Sequence, residues 1–133
     1  MDDSLGYVLE NALLDYSIAE DLYSRGRHAD VCLKSYNIAL HLLKAYAITR
    51  GHELPRANIA MISLLELAVN LEVSDPEVLQ ELSRLSFMYV YFNYPELQVY
   101  SDVEFQEITA RMCLKAVKVI SEKLLGQKLP DLA

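Results

Sequence analysis

Residues 29–49 read ADVCLKSYNIALHLLKAYAIT, and the helix they predict is apolar over most of its circumference. Val31, Ser35, Ile38, Leu42 and Ala45 recur at steps of three and four and form one row. Cys32, Tyr36, Ala39, Leu43 and Tyr46 form a second row, and Leu33, Leu40 and Ala47 a third. Such steps stack side chains one above another along a helix. Only the seam Arg27, Asp30, Lys34, Asn37, His41 and Lys44 is polar. A helix apolar on so many sides lies at the centre of a bundle, against several neighbours or a second subunit.

Outward from this helix, the flanking segments repeat the same period. Leu5, Val8, Leu9, Ala12, Leu13, Tyr16, Ala19, Leu22 and Tyr23 predict a first helix from Ser4 or Asp3 to about Ser24, broken by Arg25-Gly26-Arg27. Gly51 stops the second helix, and a loop containing Pro55 leads to a third helix over Asn58–Leu71. Ser74-Asp75-Pro76-Glu77 combines a capping-box spacing with an early proline and starts a fourth helix, which Pro95 limits to about Phe92. Ser101 to Glu104 repeats the spacing before a fifth helix carrying Phe105, Ile108, Met112, Ala116, Val119, Ile120 and Leu124 on one stripe. No stretch alternates long enough for a strand. The predicted fold is all-α, an up-and-down helical bundle of four main helices plus one shorter helix. The excess apolar rows on the second and fifth helices are the natural donors for any subunit interface.

The 133 residues are 53% hydrophobic, enough to bury one sizeable core in a single domain over residues 1–133. The start MDDSLGYVLEN carries acid where a signal peptide needs base, and the best candidate for a membrane span, IAMISLLELAV, is too short and is interrupted by Glu66. Cys32 and Cys113 lack metal or redox spacing and read as buried thiols of a cytoplasmic protein.

A net charge of −7 argues against broad binding of nucleic-acid backbones. The charge is unevenly spread. Residues 1–24 contain acids and no base, whereas residues 25–56 contain Arg25, Arg27, Lys34, Lys44, Arg50 and Arg56, with His28, His41 and His52. One reading lays the basic segment against the acidic first helix, which it neutralises, with Lys34 and Lys44 reaching water. The other makes Lys34, Asn37, His41 and Lys44 the walls of a groove for a nucleotide phosphate, because ammonium, amide and imidazole donors suit an anion.

Other chemistry has little support. His28 and Cys32 lie one turn apart, but a structural zinc needs about four ligands and no others converge, so no metal or other cofactor is implied. There is no HExxH, GxSxG, glycine-rich phosphate loop or EF-hand loop. Glu104 and Glu107 suit the start of a helix better than a catalytic pair. No residue is assigned a catalytic role.

Two segments carry a resemblance to a known family. The run SYNIALHLLKAYAITRGHELPRANIAMISLLELA, with Leu43-Lys44-Ala45, Gly51, Glu53-Leu54-Pro55-Arg56 and Leu64-Leu65, resembles the central part of HEPN-domain proteins (higher eukaryotes and prokaryotes nucleotide-binding). The segment YVYFNYPELQVYSDVEFQEITARMCLKAVKVI, with Tyr94-Pro95, Ser101-Asp102, Ala110 and Ala116, is similar to the family's later portion. The resemblance implies a helical bundle, usually a homodimer, often paired with a small nucleotidyltransferase in a toxin–antitoxin or related defence system. It also implies, in many members, a metal-independent ribonuclease using an Arg-x(4–6)-His motif.

This chain departs from that motif, since none of its histidines has an arginine five to seven residues before it. Where members of this branch carry Arg-Tyr-Pro, it reads Asn93-Tyr94-Pro95. Asn58 stands where a histidine often follows the loop, and Leu40, beside His41, where a glutamate precedes Leu-Lys-Ala. Asparagine cannot supply the fixed charge with which arginine holds a phosphate, and loss of the histidine removes the general acid–base. The expected function is a non-catalytic nucleotide-binding or partner-binding module. The alternatives are a divergent ribonuclease toxin using His41 and a nearby base, and a subunit that only binds protein. The acidic charge favours the two binding readings over the ribonuclease.

Overall fold

A computed structural model of the chain describes residues 4–52, 63–97 and 102–131. Five α-helices carry the fold: α1 (Ser4–Ser24), α2 (His28–Thr49), α3 (Leu64–Asn70), α4 (Pro76–Asn93) and α5 (Val103–Leu125). Short 3-10 turns follow α4 at Pro95–Leu97 and α5 at Leu129–Asp131. There is no strand among the described residues, and none of their helices is long and apolar enough to cross a membrane. The all-α bundle of four long helices and one short helix agrees with the sequence reading.

The centre is α2, which packs against each of the other four helices and most extensively against α1 and α5. Val31, Cys32, Ile38, Ala39, Leu42, Leu43, Ala45 and Ala47 are all buried. Each fully buried Leu or Ile contributes about 1.5–3 kcal/mol of hydrophobic stabilisation, and α2 supplies three of them, Ile38, Leu42 and Leu43. The apolar rows of α2 are enclosed within the bundle and leave little for a second subunit. The exposed large apolar side chains lie on α1 (Tyr7, Leu14, Ile18), α3 (Val69), α4 and the turn after it (Phe87, Val90, Tyr94, Leu97) and α5 (Val103, Phe105, Ile108, Met112) instead.

Cross-helix pairs fix the directions. On α1 and α5, Lys118 lies over the Tyr16 ring and the Tyr23 hydroxyl donates to Glu107. Later residues of one helix meet earlier residues of the other, so the two run antiparallel. The pairs Glu77–Lys123 and Tyr91–Phe105 impose the same sense on α4 and α5.

Helix ends follow local chemistry, with three departures from expectation. Asp75, not Ser74, caps α4, its Oδ1 accepting from the amides of Glu77 (2.9 Å) and Val78 (3.3 Å). Pro76 lacks an N–H and suits the first helical position, which makes the residue before it the cap. Asp102 caps α5 through Phe105 N–H at 2.7 Å, and Ser101 lies outside the described residues. The third helix is shorter than expected: Ser63 is extended and its hydroxyl accepts from Glu66 N–H, so α3 begins at Leu64. Residues 58–62 lie outside the described residues, as does the Pro55 loop.

Three helices end alike. After α1, Arg27 N–H reaches Leu22 O and Gly26 N–H reaches Tyr23 O, the paired bonds of a Schellman motif, with Gly26 at φ +76°. Gly51 closes α2 in the same way. After α3 the left-handed position belongs to Glu72, at φ +61°, the one non-glycine with positive φ among the described residues.

Candidate functional site

The polar seam of α2 meets α1 at one residue. Lys34 and His41 are two helical turns apart on one line, with Asn37 exposed between them and Lys44 half-buried nearly a turn further on. Asp15 of α1 faces both ends of that interval. Its Oδ1 lies 3.7 Å from Lys34 Nζ and its Oδ2 3.2 Å from His41 Nε2. The three side chains are 18%, 29% and 22% exposed for Asp15, Lys34 and His41, so the cluster is shielded from bulk water but not sealed.

Two influences compete on His41. Burial disfavours its charged form and is the largest effect; Asp15 favours the charge, while Lys44 and Lys34 oppose it. Burial wins, and the pKa falls below the ordinary 6.5. At neutral pH the ring is therefore uncharged, and the Asp15–His41 contact is a hydrogen bond from the imidazole to a carboxylate. Lys34 and Lys44 then bring two positive charges and Asp15 one negative, so the seam retains a single net positive charge.

The structure thus brings together Lys34 and His41 of the four expected anion-binding residues and adds Asp15, which the sequence reading did not single out. The signal was nevertheless present. Reflecting an antiparallel pair about the turn at Gly26 sets Asp15 opposite Asn37, midway between Lys34 and His41. Asn37 stays exposed, and no carboxylate among the described residues pairs with Lys44.

Asn93, Tyr94 and Pro95 form a separate place. Asn93 Nδ2 donates to Tyr89 O at 2.8 Å, closing the last turn of its own helix. Tyr94 is the extended C-cap and is 51% exposed, and Pro95 opens the following 3-10 turn. Among the described residues no hydrogen bond or ion pair joins this turn to the α2 seam. The link between the two helices is aromatic: Tyr36 stacks on Tyr89 with centroids 4.0 Å apart. Burial, and secondarily Tyr89, raises the Tyr36 hydroxyl pKa above 10.0. Leu40 is half-buried against the core, and Asn58 lies outside the described residues.

The remaining candidates are plainer. His28 packs tilted against Tyr23, and its Nδ1 is buried without a hydrogen-bond partner. Cys32 and Cys113 are buried free thiols; contact with Cys32, and then burial, pushes the Cys113 pKa far upward and keeps it a thiol. Among the described residues no three His, Cys, Asp or Glu side chains converge on a metal position.

No curated protein and no solved structure gives a significant match to the chain. The family model of the HEPN domain matches residues 5–127, which include all five helices except Ser4. The chain therefore belongs to the HEPN-domain family.

Proposed function

We propose that this chain is a non-catalytic HEPN module that works by binding protein: a homodimer that engages a small nucleotidyltransferase of a toxin–antitoxin or defence pair in the cytoplasm. The single observation that supports this reading is Asp15 inside the basic seam. A carboxylate already in contact with Lys34 and His41 occupies the donors a phosphate would need, and the net charge left is too small to hold a free nucleotide strongly in water. The substitutions at the family's motif point the same way. Asn93 Nδ2 donates to the α4 carbonyl of Tyr89, and its neutral amide carries no charge to hold a phosphate. Exposed apolar side chains on α4 and α5 offer the kind of contact that protein partners use.

Co-expression with a small nucleotidyltransferase of the kind proposed, followed by native mass measurement, tests the proposal. A stable complex containing both chains is the expected result. A chain that stays strictly monomeric and unpaired at micromolar concentration defeats it.

A second reading has its own supporting observation. Asp15 orients a neutral His41 imidazole, an arrangement that suits a general base. RNA cleavage by purified protein that disappears in His41→Ala would establish this divergent ribonuclease in place of the binding module. For the nucleotide reading, thermal-shift titrations of the parent, Lys34→Ala and Lys44→Ala decide, and Asp15→Asn should increase any response that arises in the seam.

A further inference from the structure

The bases of this acidic protein are mostly partnered. Arg25, Arg27, Lys34, Arg84, Arg111 and Lys123 each meet a carboxylate within 4.0 Å. Among the described residues five bases have no such partner: Lys44, Arg50, Lys115, Lys118 and Lys128. Three of those five line a single cleft of about 380 Å³ on the outer face of α5, with Val119, Glu122 and Pro130.

The fold gathers them from two segments. Lys115 and Lys118 stand three apart on α5, hence side by side on its surface. Lys128 arrives from the other direction, because the left-handed Gly126 ends the helix and turns the chain back toward it. Lys118 lies over the ring of Tyr16, 5.9 Å from its centroid, and Tyr16 is itself buried, which restrains one ammonium group. Complementing the dipole at the end of α5 does not account for the group, because that effect is confined to the last turn and Lys115 and Lys118 precede it. Three ammonium groups against the one carboxylate of Glu122 leave two net positive charges in the cleft, in a chain whose overall charge is −7.

We propose that this cleft is a binding site for a linear oligophosphate group, recognised by Lys115, Lys118 and Lys128. Lysine ammonium groups are point charges with rotatable donors and fit phosphate oxygens without demanding a bidentate geometry. Charges spread along the cleft match an anion whose own charge is spread over several phosphates better than a single ion. The lining has no aromatic face and no amide that would read a base, so the phosphate chain is what is recognised, whether free or carried on a nucleoside. This site lies on α5, apart from the α2 seam, and does not depend on the protein-binding reading.

Isothermal titration of the full chain at low ionic strength with inorganic tripolyphosphate, ATP and adenosine tests it. Tripolyphosphate and ATP should bind alike, adenosine should not bind, and the affinity should fall as salt is raised. Lys115→Ala/Lys128→Ala should weaken tripolyphosphate by about tenfold, the combined effect of two exposed charge-assisted contacts. Lys123→Ala, which removes a lysine paired to Glu77, should leave it unchanged. Circular dichroism melts confirm that each variant is folded, as expected for exposed positions. Absence of tripolyphosphate binding by the parent overturns the proposal. So does binding of ATP or single-stranded RNA without tripolyphosphate, or an equal loss in Lys123→Ala and the double variant.

Discussion

Asp15 on α1 and His41 on α2 meet at 3.2 Å, with Lys34 completing the group on the other carboxylate oxygen at 3.7 Å. Asp15→Asn removes the charge and keeps the shape. We expect a loss of about 1 kcal/mol in urea unfolding, typical of a partly shielded pair whose lysine can still reach water. The His41 pKa should fall further, because the influence that raises it is gone while burial, Lys44 and Lys34 remain. An NMR titration of the imidazole checks this, and an upward movement would contradict the assignment.

The same histidine imposes a pH dependence with a definite sign. Its folded pKa lies below 6.5, so as pH drops past that value the unfolded chain binds a proton that the folded protein resists. Stability is complete above 6.5 and declines as pH falls toward the folded pKa. In His41→Gln this contribution is absent. The difference between the two stability curves should therefore open on the acid side of 6.5 and be flat above it.

Core and seam residues on α2 should separate sharply. Leu42 is fully buried, and Leu42→Ala should cost about 2–5 kcal/mol through lost burial and a residual cavity. Asn37 is exposed on the same helix, and Asn37→Ala should stay within about 0.5 kcal/mol. Urea midpoints of the two variants, measured side by side, decide the matter.

Glu72 closes α3 in a conformation that glycine adopts freely and a glutamate does not. Glu72→Gly should raise stability by about 0.5–1 kcal/mol, the relieved strain less the greater freedom of the unfolded glycine. A destabilised variant by the same urea assay would mean that Glu72 makes a compensating contribution of its own.

At the position where the resemblance expects the arginine of Arg-Tyr-Pro, Asn93→Ala removes one exposed hydrogen bond and should cost about 0.5 kcal/mol. Asn93→Arg supplies the arginine that the resemblance implies there but not a partnering histidine. Incubated with RNA, neither it nor the parent should generate cleavage products.

How much of this was legible in the sequence depends on whether the information is local or spatial. The rows Val31–Ala45 and Cys32–Tyr46 announced a central helix, and burial of their members bears that out. Pro95 likewise set the end of α4 to within one residue, because its restriction on Tyr94 is a local steric fact. Choices between adjacent candidates were harder: Ser74 and Asp75 are both good caps, and only the proline's missing N–H selects the second. The seam was half legible. Lys34 and His41 are visible as neighbours on one helix, but Asp15 becomes part of the site only when α1 folds back on α2. The Lys115, Lys118 and Lys128 cleft depends on the left-handed turn at Gly126 and on which lysines find carboxylates, neither of which a spacing rule conveys.

The position of α2, with every other helix docked on it, also has a consequence for motion. Its central amides, from Ile38 to Leu43, are enclosed by four elements that belong to one cooperative unit. They should exchange with solvent only when the whole molecule opens, at the slowest rate in the chain. Any ligand or partner that binds the folded form will therefore be read out most faithfully in the protection of α2, even when it touches only α4 or α5.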